Sequence, residues 1–178
     1  MHYPLPHTIE TKYGEKLSFL RMEGQRAIGE NYVQPNAGPP MHVHFKQDES
    51  MTVISGKIGY QIQGQTPQYA GPGESVVFKK GVAHRFWNAG DEVLYCSAWV
   101  EPADNFIFFI TNVFDAINRG KNGKPELFDG AYLTWRYRRE FAITEIPGFV
   151  RNVVMPVIYF IGTMLGKYEK FRDAPKPI

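Results

Sequence analysis

The chain has 178 residues, with 43% hydrophobic and 21% charged, which fits one ordinary globular domain or a core with a short appendage and excludes a disordered polymer. A formal net charge of +2 gives no reason to expect nucleic acid as a partner. The single cysteine, Cys96, rules out an internal disulfide, and the first residues, MHYPLPHTIETKYGEK, contain no apolar run of an export signal, so a reducing cytoplasmic setting is expected.

Up to about residue 100 the chain reads as β. Turn signals recur at short intervals, at Tyr13-Gly14, Pro35 to Gly38, Ser55-Gly56, Gly64, Gly71-Pro72-Gly73, Lys80-Gly81 and Gly90-Asp91. Between them lie short runs rich in β-branched and aromatic residues: LSFLRM, MTVIS, IGYQIQ, SVVF, HRFW and VLYCSAWV. Many short strands at this spacing predict a sandwich or a barrel. The character changes at Glu101-Pro102-Ala103-Asp104. Phe106, Phe109, Ile110, Val113, Phe114 and Ile117 then fall on one helix face, with Asp104 as the expected N-cap and Gly120 as the stop. A shorter helix is expected from about Asp129 to Glu140, and a third from Pro147 with a kink at Pro156. The predicted division is a β unit over 1–103 and a helical extension over 104–178. The apolar stretch Phe149 to Leu165 contains Arg151, Asn152 and Pro156 and is shorter than the ~20 residues a spanning helix needs, so no membrane span is expected. The apolar face of the first helix calls for a cover: it packs on the barrel, closes its mouth, or forms a homodimer interface.

Three of the five histidines sit in β context. His42 and His44 are two apart on one strand and point to the same face. Glu49 begins the return strand and shares a face with Met51 and Val53. His84 follows the turn at Gly81 and shares a face with Phe86. A barrel interior that gathers these positions brings three imidazoles and one carboxylate together. Such a set suits one divalent ion (Fe, Ni, Mn or Zn) and leaves coordination positions open for water or substrate. No thiolate takes part, which argues against a purely structural zinc site.

The spacing resembles the cupin superfamily. Its first motif, HxH, four residues, Glu, six residues, Gly, is matched by His42-Val-His44, FKQD, Glu49, SMTVIS and Gly56, with Gly38 ahead of it slightly closer than usual. Its second motif, Gly, five residues, Pro, one residue, Gly, two residues, His, three residues, Asn, is matched by Gly73, ESVVF, Lys79, Lys80, Gly81, VA, His84, RFW and Asn88. The one departure there is Lys79 in place of proline, at a turn position that is not a ligand. The resemblance implies a mainly β fold, a double-stranded β-helix (jelly-roll) barrel followed by C-terminal α-helices. It implies His42, His44, Glu49 and His84 as metal ligands. It does not imply a reaction, because cupins serve many chemistries.

The site with an open position resembles dioxygenases of the quercetin type, in which Glu49 would leave its ligand role to take the substrate's proton. A metal-dependent oxidoreductase, or an isomerase, acting on a small organic molecule is one expectation; a non-catalytic binding or sensing barrel is the other. Met51, Tyr60, Phe86 and Trp99 are candidate substrate contacts, with plain barrel core as the alternative for each. Strand parity puts Tyr60 inside, with its hydroxyl available to a substrate. Asp48 is expected to point away from the metal, and Cys96 to be a buried small apolar residue.

Overall fold

The computed structural model describes residues 3–178. Eleven strands are present among them: β1 (His7–Thr11), β2 (Glu15–Glu23), β3 (Arg26–Val33), β4 (His42–His44), β5 (Asp48–Ser55), β6 (Ile58–Ile62), β7 (Gln68–Ala70), β8 (Ser75–Phe78), β9 (His84–Asn88), β10 (Leu94–Glu101) and β11 (Phe141–Ile143). They form two facing sheets, ordered β1-β2-β3-β10-β5-β8 and β11-β4-β9-β6-β7. Every pairing is antiparallel. Chain neighbours such as β4 and β5 lie in opposite sheets, which is the jelly-roll arrangement. Along β3 burial alternates residue by residue, so Ala27, Gly29, Asn31 and Val33 face the interior. Two glycines permit close approach. A Cβ on Gly59 would strike the Trp87 ring at 2.3 Å, and one on Gly38 would lie 2.2 Å from the Phe86 carbonyl.

The turn before His84 departs from the family pattern yet is well held. Asp48 accepts from Lys79 Nζ (2.8 Å) and from the Lys80 backbone N–H (2.8 Å), and the Gly81 N–H donates to the His44 carbonyl (2.7 Å). Side-chain hydrogen bonds thus supply the rigidity that a proline ring gives elsewhere. Asp48 is turned to these partners and away from the metal residues. Asn88, the last motif residue, is also structural: its amide donates to the Val33 and Glu92 carbonyls and accepts from the Gly90 N–H.

Three helices follow: α1 (Phe106–Arg119), α2 (Leu127–Arg136) and α3 (Met155–Met164). The expected boundaries shift for local reasons. Asp104 does not cap α1. It sits in a turn at φ 39°, Asn105 occupies the cap position, and Gly120 ends the helix as its position suggests. α2 starts earlier than Asp129 because the Glu126 carboxylate accepts the Asp129 N–H. Asp129 is itself buried and holds Arg119 and Lys170. α2 ends at Arg136 because the chain then turns into β11, which pairs with β4. In the third segment, Pro156 has no N–H for the Asn152 carbonyl, and the turn before it widens into a π-helix, Val150–Val154, where the Met155 N–H reaches Val150.

One apolar cluster joins the barrel to the helices. Leu17, Phe19, Ala27 and Val100 pack with Phe106, Phe108, Phe114, Leu133, Tyr137 and Phe141. A second fills the opposite part of the barrel around Val33, Met51, Val53, Ile58, Phe78, Phe86, Leu94 and Cys96. The outer face of the last helical segment stays uncovered: Phe149 is 70% exposed, Phe160 65% and Met164 72%, with Val153, Val157, Ile161 and Leu165 also exposed. Among the described residues no helix is long and apolar enough to cross a membrane.

Candidate metal centre and cavity

His42 and His84 stand directly opposite each other on β4 and β9. His44, two residues on, faces the same way, and Glu49 reaches across from β5 in the other sheet. One donor atom from each lies within 4.8 Å of those of the others. His84 is 1% exposed, its ring stacked on Phe78 at 4.1 Å. The His44 ring meets Phe106 (5.3 Å) and Phe141 (5.6 Å), so a helix and the last strand both steady it.

The hydrogen bonds around the group fit a cation. The Pro40 carbonyl accepts from His42 Nδ1 (2.8 Å), and the Val82 carbonyl from His84 Nδ1 (2.9 Å). In the neutral tautomer so fixed, both rings present a bare Nε2 lone pair, as metal-binding imidazoles do. His84 Nε2 then lies 3.3 Å from Glu49 Oε2, two acceptors face to face. His44 Nδ1 is buried without a hydrogen-bond partner, 3.6 Å from the same oxygen. A divalent ion among these atoms satisfies all of them at once, and Glu49 offsets part of its charge.

The electrostatics agree. Burial pushes His42 down to about 4, helped by His84, and His44 down to about 3, so both imidazoles are neutral at pH 7, the state a metal ligand needs. Burial pulls the Glu49 carboxyl upward, but the close approach of His84 and the fields of His44, His84 and His42 outweigh it and hold the group at about 2. Glu49 is therefore ionised throughout the physiological range.

A cavity of about 470 Å³ adjoins the group. His42, His44 and Glu49 line its wall, while His84 sits behind them. A metal held by this group would therefore border the cavity. The inner face of α1, through Phe106, Phe109, Ile110, Val113, Phe114 and Ile117, forms much of the opposite wall. Of the candidate substrate contacts, Met51, Phe86 and Trp99 line this space. Tyr60 does not. Its ring lies against Phe78 (6.2 Å) and its hydroxyl donates to Gln68 (2.8 Å) on the neighbouring edge strand β7. Parity fixes the face of a strand but not the strand's distance from the cavity, and β6 lies beyond β9, next to the edge strand β7 and away from β4 and β11.

Sequence reasoning missed several polar residues in the wall, Glu15 and Asn31 among them. The signal was present for Asn31: it is the one polar side chain on the inward face of a strand whose other inward residues are Ala27, Gly29 and Val33. The run escaped notice because Gly29 and Glu30 interrupt its apolar character.

The double-stranded β-helix, the facing donor set and the adjoining cavity make a barrel whose buried His and Glu group could hold a metal ion. Residues 30–100 match the family model described as Cupin domain, and this part of the chain is a cupin domain. The chain is 32% identical over 68 residues to a probable oxidoreductase, virH, of Hypocrea virens, covering 37% of this chain and 31% of that protein. It is 33% identical over 67 residues to the oxidoreductase iacF of Pestalotiopsis fici, covering 36% and 33%. The match thus spans only about a third of the length of these curated relatives. Among solved structures it is similar to a Klebsiella pneumoniae protein with a double-stranded β-helix domain, at 22% identity and TM-score 0.47, covering 52% of this chain and 81% of that one. It is also similar to KdgF of a Halomonas species, at 14% identity and TM-score 0.49, covering 56% and 92%.

Proposed function

We propose that this protein is a metal-dependent oxidoreductase that oxidises a small, largely apolar organic molecule with dioxygen. Both oxygen atoms enter the product, so no external reductant is required. The observation that carries this reading is the placement of His42, His44 and Glu49 in the wall of an apolar cavity large enough for a two- or three-ring molecule. The names of the two curated relatives agree with it. The ligands are His42, His44, Glu49 and His84, and the ion, one of Fe, Ni, Mn or Zn, supplies Lewis acidity and, for the redox-active metals, access to dioxygen. Met51, Phe86 and Trp99 bound the substrate's apolar body, and α1 keeps bulk water off it. Glu49 takes the substrate's proton on its carboxylate. Its basicity, low while the imidazoles surround it, rises as it turns from them toward the substrate.

The test is metal analysis of protein purified without chelator or affinity metal, followed by oxygen uptake with Fe-, Ni-, Mn- and Co-loaded protein over a panel of enols, catechols and flavonoids. About one equivalent of metal and substrate-dependent uptake are expected. Stoichiometric metal with no uptake and no spectral change across the panel would favour the second reading, a barrel that binds or senses its ligand without turning it over.

We further propose that the chain works as a homodimer in the reducing cytoplasm. Cys96, its one thiol, is free and buried, with burial pushing it up to about 12, as suits a residue with no redox task. The exposed row from Phe149 to Leu165 supports the dimer, because so continuous an apolar face on a protein surface marks an interface. Light scattering is expected to give twice the chain mass, reduced to one by Phe160→Asp with Met164→Asp. A monomeric wild type overturns the dimer, and if that monomer also sediments with anionic vesicles the face belongs to a lipid surface.

A further inference from the structure

Asn31 is the polar residue that the fold leaves most conspicuously unsatisfied inside the cavity. It is 4% exposed, its Nδ2 donates to Glu15 Oε1 (3.1 Å), and its Oδ1 is buried without a partner. Whichever way the amide is turned, one polar atom meets Glu15 and the other meets nothing, and a bare buried acceptor is costly to keep. Both residues line the same cavity as the metal group.

Strand register places them well away from that group. Glu49 and Ala27 both pair with Val100, on either side of β10, whereas Asn31 lies four residues further along β3, opposite Cys96. Four residues of strand are about 13 Å. Between the two, the inward positions on the floor are the small residues Ala27 and Gly29, with Ala98 beside them, all part of the cavity lining. The cavity therefore has a cation-binding end, a low apolar floor and a second polar end.

We infer that Asn31 and Glu15 form a distal anchor that selects ligands carrying a hydroxyl group at the end remote from the metal. This rests on the reading that the cavity takes a small organic molecule. The hydroxyl donates to Asn31 Oδ1 and the molecule's apolar body lies over Ala27 and Gly29, while its other end reaches His42, His44 and Glu49. Glu15 supports the role: burial, opposed by the Asn31 hydrogen bond and helped by the charge of Glu49, lifts it to about 7, so near neutrality it offers both a proton and an acceptor to a hydroxyl.

The experiment uses the full chain loaded with zinc, which binds catechols without oxidising them, and a matched pair of probes, 4-phenylcatechol and 4-(4-hydroxyphenyl)catechol. Wild type is expected to bind the hydroxylated probe at least about tenfold more tightly, the scale set by leaving a buried polar group unpaired. In Asn31→Leu that preference, read as the ratio of the two affinities, should vanish. Asn31→Asp, which keeps an acceptor, should retain the preference, and guards against a folding defect in the leucine variant. Equal binding of both probes to wild type, or an undiminished preference in Asn31→Leu, overturns the anchor and leaves the cavity reading standing. Failure of both probes to bind the zinc-loaded wild type overturns the cavity reading and the anchor with it.

Discussion

Glu49→Gln is expected to cost the protein its metal. Glu49 is the one anionic member of a buried group in which burial holds the His42 and His44 imidazoles neutral, and a divalent ion held there without it would be poorly compensated. Replacing even an outer partner of a ligand typically weakens metal binding by about 10–100-fold, so losing the only charged ligand should cost at least ~100-fold. The effect can be read without any substrate. Metal supplied at about 100 times its dissociation constant stabilises the folded state by about 2.7 kcal/mol. In a chain of this size that raises the melting temperature by roughly 5–10 °C. Wild type should show this rise on titration with Mn, Ni or Zn and lose it with chelator, and Glu49→Gln should show neither change. A glutamine variant that binds the ion as tightly as wild type would remove the carboxylate from the ligand set.

The second large effect concerns the helices. A chain ending at Pro102 is expected to aggregate. It uncovers Phe19, Ala27 and Val100, which are buried against Phe106, Phe108, Phe114, Leu133, Tyr137 and Phe141. Each of these larger side chains contributes about 2–3 kcal/mol by burial, and six of them match or exceed a domain's whole margin of about 5–15 kcal/mol. The same cut strips β11 from β4 and leaves an open strand edge. The soluble fraction and its elution volume decide the matter. A soluble, monomeric barrel from residues 1–102 would show that the two parts fold independently. Phe106→Ala in the full chain is the finer probe, expected to cost about 3–5 kcal/mol and to loosen the His44 ring that it contacts.

How far the sequence could be read follows from the range of each interaction. The grouping of His42, His44, Glu49 and His84 was legible because a period of two fixes the face of a strand and the spacers between motifs fix which strands return to it. α1 was legible from its 3-4-7 apolar pattern and Gly120, and its cap was misplaced by one residue, at Asp104 where Asn105, held by Glu140 and the Lys176 carbonyl far along the chain, takes the position. β11 has only three residues and no pattern of its own; it is a strand because β4 has a free edge there. Tyr60 was placed near the ligand from its face alone, when its distance from the cavity depends on strand order. Glu15 and Asn31 acquire meaning only once β2 and β3 are seen side by side.

The pairing of β11 with β4 has one further consequence, in the order of events during synthesis. Residues 42–44 carry two of the donors, yet the outer edge of their strand is completed by residues 141–143, with Phe141 opposite His44. A nascent chain that has emerged only as far as residue 120 possesses all four donor side chains but neither the strand that flanks two of them nor the Phe141 ring that steadies His44. On the proposed metal reading, the group is expected to reach its final arrangement only after residues 141–143 have left the ribosome, so that ion uptake would follow most of translation.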